Sequence, residues 1–317
     1  MVIDYEISSS NYNTIDELLD SFRRDVPNFY DEGECEELYI PVDDGELRVF
    51  HHKPKNIETK RPIVFVPGFA TMPRSWREFH QPHHGYCEYY HIETRDKKSS
   101  KIKNHSKVDY TIQQVAKDIG DIIKYLQIDQ RDYILMGACM CGGAILTGLI
   151  NKNFSPPTTI VLDPFCKWTQ NRVLVKTIIP ILPPTVFEGL KTIFAKVILA
   201  NMKNETQKER NWDTVDGAVG WIWRKFSMQN VNYDITNDLD KIEEEVFVFH
   251  GPPDKYHPEG TFQQIATKIP KGRFYHIDTQ DRNREILAGV IGTNFAMNSK
   301  NDDSPVLFES YEIPLYR

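Results

Sequence analysis

Apolar positions along the chain change period several times. Residues 15–26, inside a polar lead of residues 1–36, place Leu18, Leu19 and Phe22 on one helical face. Short β-like runs at 38–42 and 47–51 flank Asp43-Asp44-Gly45, a hairpin signal. A buried-type run at 62–66 stops at Pro67-Gly68, and another strand is expected at 88–92. Residues 110–128 have helical period, with Ile112, Val115, Ile119, Ile122, Ile123 and Leu126 on one face. A strand at 133–136, a helix at 140–151 and a strand at 159–162 ending in Asp163-Pro164 follow. From about 165 to 240 the pattern is helical, broken by prolines and without a convincing strand. Alternation returns as strand 246–249, helix 259–268, strand 273–277 and helix 283–295, with a polar tail over 298–317 for which extended chain is the expectation.

Strand–helix alternation of this kind predicts an α/β fold: a mostly parallel sheet with helices on both faces, opened by an antiparallel hairpin. Residues 37–164 and 241–297 form the expected core, and 165–240 a helical cap inserted between two strands. Sites in such sheets lie at the carboxyl ends of the strands. Within the insertion, residues 173–202 are apolar but carry Lys176, Glu188, Lys191, Lys196 and three prolines, so no transmembrane segment is expected. A packed cap, a lid over an apolar pocket and a membrane-surface contact all remain open for this stretch.

Composition narrows the function classes. The chain has 317 residues, 40% hydrophobic and 12% aromatic, enough for a sizeable core. A net charge of −7 speaks against a protein built to neutralise nucleic-acid phosphates. Neither a dinucleotide nor a P-loop glycine pattern occurs, and no cofactor is expected. The first twenty residues are acidic and polar, unlike a secretory signal. The five cysteines fit neither a disulfide framework nor a zinc finger, so a reducing cytoplasm is the expected location and no metal site is expected.

The most informative window is Tyr133-Ile-Leu-Met-Gly-Ala-Cys-Met-Cys-Gly-Gly143. An apolar strand enters a cluster of small residues and a helix follows at once. Such a turn projects Cys139 above the sheet edge and aims the Met140 N–H and the helix N-terminus at the same point. A thiol there is activated toward its nucleophilic thiolate. The bland alternative is that Cys139 and Cys141 are small buried residues on a tight turn. Cys141 is expected to pack beneath the turn, and Cys35, Cys87 and Cys166 to be packing residues.

This window, with the alternation around it, resembles the nucleophile elbow of the α/β-hydrolase superfamily over roughly residues 37–297. The family pattern is G-x-S-x-G; here Cys139 stands at the Ser position and Cys141 at the second Gly. Dienelactone hydrolases and polyhydroxyalkanoate synthases carry a Cys in the same place. The run Val64-Phe-Val-Pro-Gly-Phe-Ala-Thr71 is similar to the family's oxyanion strand and turn, which implies the Phe69 N–H as second oxyanion donor beside that of Met140. As an alternative, Pro67-Gly68 is an ordinary strand-ending turn. Residues 89–100 are similar to a strand and loop of the family and are given no chemistry. The G-x-x-D after strand 246–249 resembles the loop that presents the acid, implying Asp254; an Asx turn opening the next helix is the alternative.

The base is missing from its expected place. The family carries a His on the loop after the last strand, and here residues 277–285 contain none. His257, near Asp254, and His276, one residue before that strand's end, are candidate bases, each with a structural alternative. Arg282, turned inward, is a candidate thiolate partner. The pair His83-His84 is expected at the surface. The resulting expectation is acyl transfer or ester/thioester hydrolysis through Cys139 on an apolar or acyl small molecule. The alternative is a hydrolase scaffold that has lost turnover and binds a ligand or partner.

Overall fold

In a computed structural model, the chain is described over residues 14–22, 35–104, 106–183, 205–251, 258, 260–298 and 304–317, with single positions at 185, 186, 188, 189, 191, 193 and 196. Strands β1 (Cys35–Val42) and β2 (Gly45–His52) pair antiparallel with Val42 opposite Gly45, which leaves Asp43-Asp44 as a two-residue turn. The remaining strands are β3 (Ile63–Val66), β4 (Tyr89–Ile92), β5 (Lys101–Ile102), β6 (Ile134–Ala138), β7 (Thr158–Leu162), β8 (Val246–His250) and β9 (Gly272–His276). Their order is β1-β2-β4-β3-β6-β7-β8-β9, with β5 beside β2. From β4 to β9 every pairing is parallel, and the β2 pairings are antiparallel. The central strands are continuous apolar runs because both of their faces are covered.

The helices whose bounds lie among the described residues are α1 (Ile15–Asp20), α2 (Arg77–His80), α3 (Ile112–Tyr125), α4 (Met140–Ile150), α5 (Glu205–Gly217), α6 (Gly220–Asn230), α7 (Thr261–Lys268), α8 (Arg284–Met297) and α9 (Val306–Glu309). Buried residues of α3, α4, α6 and α7 build one core, and those of α1, α2, α8 and α9 build the other. Alternation along β8 sends Val246 and Val248 to the first core and Phe247 and Phe249 to the second. His250, the next residue, therefore belongs to the first face.

Between β7 and β8 the described chain holds a π-turn (Leu174–Ile178), α5 and α6, with one isolated bridge, Lys167 to Asp234. Arg210 on α5 reaches into the core and pairs with Glu78 and Glu285, all three buried. The Phe226 ring of α6 lies 4.4 Å from that of Phe69. The tail follows the outer edge of β9, where the Ile313 N–H bonds the Phe274 carbonyl and Glu312 pairs with Arg273. That cover protects an edge strand. Among the described residues no helix is long and apolar enough to cross a membrane.

The pair His83-His84 is not at the surface. His83 is wholly buried and His84 half-buried, because the α2 backbone sits on Gly289 of α8. A Cβ at Gly289 would lie 2.1 Å from the Phe79 carbonyl oxygen. His80, carried with them, bonds His83 at 3.3 Å and His91 at 3.2 Å, and His83 reaches Thr293. Burial lowers the pKa of His83 and His91 to about 3, and that of His80 well below its usual value. Among the described residues no such group is arranged to hold a metal ion.

These imidazoles make stability depend on pH. Below pH 6.5 an unfolded imidazole binds a proton that the buried ones refuse until about pH 3. The unfolded chain then holds more protons, so stability falls as pH drops through that window. Each group removes up to about 1.4 kcal/mol per pH unit. Urea unfolding at pH 7, 6 and 5 should show steadily lower midpoints; a flat profile would contradict the buried neutral cluster.

Candidate active site

β6 becomes α4 within one residue. Cys139 has φ 50° and ψ −118°, a conformation that costs a side-chain-bearing residue about 1–3 kcal/mol. Its N–H bonds the Leu162 carbonyl at 2.8 Å, and its carbonyl accepts from Gly143 at 3.1 Å and Phe165 at 2.9 Å. A Cβ on Gly143 would stand 1.9 Å from the Phe165 oxygen, so only glycine lets the two backbones meet. The turn exposes the Cys139 side chain at the N-terminus of α4, and none of the five cysteines is in a disulfide. Cys141 is buried beneath it, where desolvation pushes its thiol pKa up, and Cys87 and Cys166 are buried as well.

The 67–71 loop adjoins the turn. A Cβ built on Gly68 would be 3.6 Å from the Cys139 Cβ. Ala70 has φ 58°, and among the described residues no acceptor takes the Phe69 N–H. The Met140 N–H opens α4 directly after Cys139, among the first N–H groups of the helix, which lack partners within it. Phe69 and Met140 thus flank Cys139 from two elements.

The other candidates separate. Asp254 and His257 lie outside the described residues. Arg282 is turned away from the sheet edge, bonded to Asp20 of α1 at 2.5 Å. Asp16 of the same helix accepts from Gln280 and Asn283, so α1 claims the loop on which a base was sought. The inward expectation for Arg282 is corrected by these charges. Arg284 faces inward instead, 3.7 Å from Asp163. His276 ends β9, three strands from β6 and so about 14 Å across the sheet. Its pKa is lowered by burial and then by His250.

An imidazole absent from the sequence reading stands closer. His250, the last residue of β8, bonds the Asp163 carboxylate through Nδ1 at 2.6 Å. Its ring packs on Phe262 and His276. Asp163 follows β7 with φ 46°, its N–H on the Phe249 carbonyl at 3.0 Å. The ladder β6-β7-β8 thus sets Cys139, Asp163 and His250 in a row at the carboxyl edge, the outer two about 10 Å apart at the backbone. Their positions at strand ends were the available signal. Beside Asp163 and His250 lies a cavity of about 30 Å³, lined also by Arg284, Ile277 and Ile291, with room for a water. A larger cavity of about 410 Å³, between Arg74 and Trp212, includes none of these residues.

No known family profile matches the chain, and no curated protein does. Solved structures match over most of its length. An esterase from Exiguobacterium antarcticum has TM-score 0.60 and 18% identity over 81% of this chain and 98% of its own. An enol-lactonase from Burkholderia xenovorans has TM-score 0.61 and 14% identity, covering 80% and 98%. A bromoperoxidase from Bacillus anthracis has TM-score 0.59 and 15% identity, covering 83% and 98%. The fold is that of the α/β-hydrolases. Within the α/β-hydrolase fold, the turn at Cys139 ends the strand that lies fifth in the sheet's order, and α5 and α6 fall between the sixth and seventh.

The tightness of the turn is open to measurement. Gly143→Ala should cost about 1–3 kcal/mol by overpacking against Phe165. Gly189→Ala, where nothing lies within 4 Å of the added methyl, is the control and should be near neutral. Equal urea midpoints for the two variants would contradict this packing.

Proposed function

We propose that the protein cleaves esters or thioesters of apolar acyl groups through Cys139, passing the acyl group to water or another small acceptor. The observation that carries this reading is the strained, exposed Cys139 at the N-terminus of α4, beside the 67–71 loop. Helix dipole and N–H groups favour negative charge at that point. His250, oriented by Asp163, is the base of this proposal. Asp163 takes the role for which the family resemblance pointed to Asp254. The Phe226 ring on Phe69, with Trp168 packed against Phe226 in turn, supports an apolar acyl group.

In the first half, the Cys139 thiol proton passes to His250 and the sulfur attacks the carbonyl carbon. A C–S bond forms, and the carbonyl electron pair moves to an oxygen received by the Phe69 and Met140 N–H groups. Collapse breaks the C–O bond, and the leaving alkoxide takes the proton from His250. In the second half, water gives a proton to His250 and attacks the thioester. Loss of the thiolate releases the acid and returns the proton to sulfur.

The test is p-nitrophenyl butyrate and octanoate, followed by intact mass. Wild type should release nitrophenol and carry an acyl adduct that Cys139→Ala loses. His250→Asn should slow acylation by about 10²–10⁴. No release and no adduct would overturn the reading. A second reading, a non-turning-over scaffold that binds a ligand or partner, is favoured by the loop 277–283, which has no imidazole and is tied to α1. It expects slow iodoacetamide alkylation of Cys139 and no adduct, and fast selective alkylation counts against it.

A further inference from the structure

Beneath the 67–71 loop lies a buried ion pair. Lys97 is 5% exposed and Asp96 3%. Lysine is almost never buried unless paired, because removing its ammonium from water is costly. Lys97 Nζ donates to the Gly68 carbonyl oxygen at 2.7 Å and to Asp96 Oδ2 at 3.1 Å. Asp96 Oδ2 also accepts the Ala70 N–H at 2.7 Å, and its other oxygen accepts from Thr94 at 2.5 Å. Lys97 and Thr94 also act on the buried Cys141 thiol, which places the cluster under the turn.

The bond to Gly68 is more than satisfaction of a carbonyl. The Thr71 hydroxyl already donates to that oxygen at 2.8 Å, so a neutral partner is in place. The Thr71 N–H donates to it as well at 3.4 Å, so the charged donor is a third one. The Gly68 oxygen and the Phe69 N–H belong to one planar trans peptide and point in opposite directions. Pulling the oxygen down onto a buried ammonium turns the N–H to the opposite side, away from the ion pair. A cation on the carbonyl also draws electron density from the amide nitrogen, which strengthens the N–H as a donor. The Asp96 bond to Ala70 holds the next residue in its positive-φ conformation, so the peptide is fixed at both ends.

We infer that Lys97, backed by Asp96, is a positioning residue that orients and polarises the Gly68–Phe69 peptide so that the Phe69 N–H becomes a strengthened donor at Cys139. The catalytic consequence rests on the acyl-transfer reading above; the polarised peptide does not. Gly68-Phe69 is the chain's one Gly-Phe step, so labelling with carbonyl-¹³C glycine and ¹⁵N phenylalanine reports a single NMR correlation. In Lys97→Met the Gly68 carbonyl and Phe69 amide signals should both move upfield, and in Thr71→Val they should move less. Acylation of Cys139 by p-nitrophenyl butyrate should fall about tenfold or more in kcat, with KM within about twofold. Alkylation by iodoacetamide, which forms no oxyanion, should stay within about twofold, and Lys97→Arg should recover part of the acylation rate.

An unmoved correlation in folded Lys97→Met overturns the inference, and so does full acylation by that variant. If Lys97→Met does not fold, wild type labelled with ¹⁵N lysine and carbonyl-¹³C glycine should show a coupling across the Lys97–Gly68 hydrogen bond, and its absence overturns the inference. A moved correlation with no acyl adduct on the wild type overturns the proposed function while supporting the polarised peptide.

Discussion

A strand that must become a helix within one residue constrains everything around Cys139. The backbone there is strained, and it persists because its N–H and carbonyl are both taken by the neighbouring chain, at Leu162, Gly143 and Phe165. Those bonds need Gly143 to admit the Phe165 backbone and a small side chain at position 141 to lie beneath. The Cys139–Leu162 bond continues the β6–β7 ladder, and a separate bond from the Asp163 N–H to Phe249 continues the β7–β8 ladder, so Cys139, Asp163 and His250 end neighbouring strands in one row.

Charge is then buried in support of that edge. Lys97 and Asp96 hold the 67–71 loop from below. On the far side of the loop, Arg210 ties α5 to Glu78 of α2 and Glu285 of α8. Desolvation raises the Glu285 pKa, and Arg210 opposes that rise. Buried ions of this kind contribute little net stability, but removing one partner leaves the other uncompensated. Their effect is to fix geometry: the loop keeps its peptide orientation, and the inserted helices keep Phe226 over Phe69.

The hydrolase sheet is complete, whereas the loop after its last parallel strand has a different occupation. Asp16 and Asp20 draw Gln280, Arg282 and Asn283 toward α1, a contact between residues about 260 apart in sequence. A loop bonded in this way acts as a fastening for the N-terminal helix. The only imidazoles of the described carboxyl edge come from strand ends, His250 on β8 and His276 on β9, and of these His250 holds the carboxylate.

The sequence by itself determined the periodicities, and through them the elements. The hairpin, the buried strands and α3 and α4 lie within a few residues of their expected positions, because strand and helix periods are local properties. The small-residue box located the turn at Cys139 for the same reason, and Cys141 packs beneath it as its size implies. What the tertiary structure decided concerns residues brought together from afar. His250 and Asp163 meet only because β7 and β8 are neighbours, and Arg282 turns outward only because α1 brings two carboxylates to it. His83, expected at the surface, is buried because α2 closes onto Gly289. Lys97 and Asp96 read as a polar loop, since nothing along the chain shows that the loop folds under Gly68. Pairing energies of buried charges depend on through-space distance and desolvation, and neither is written in local sequence.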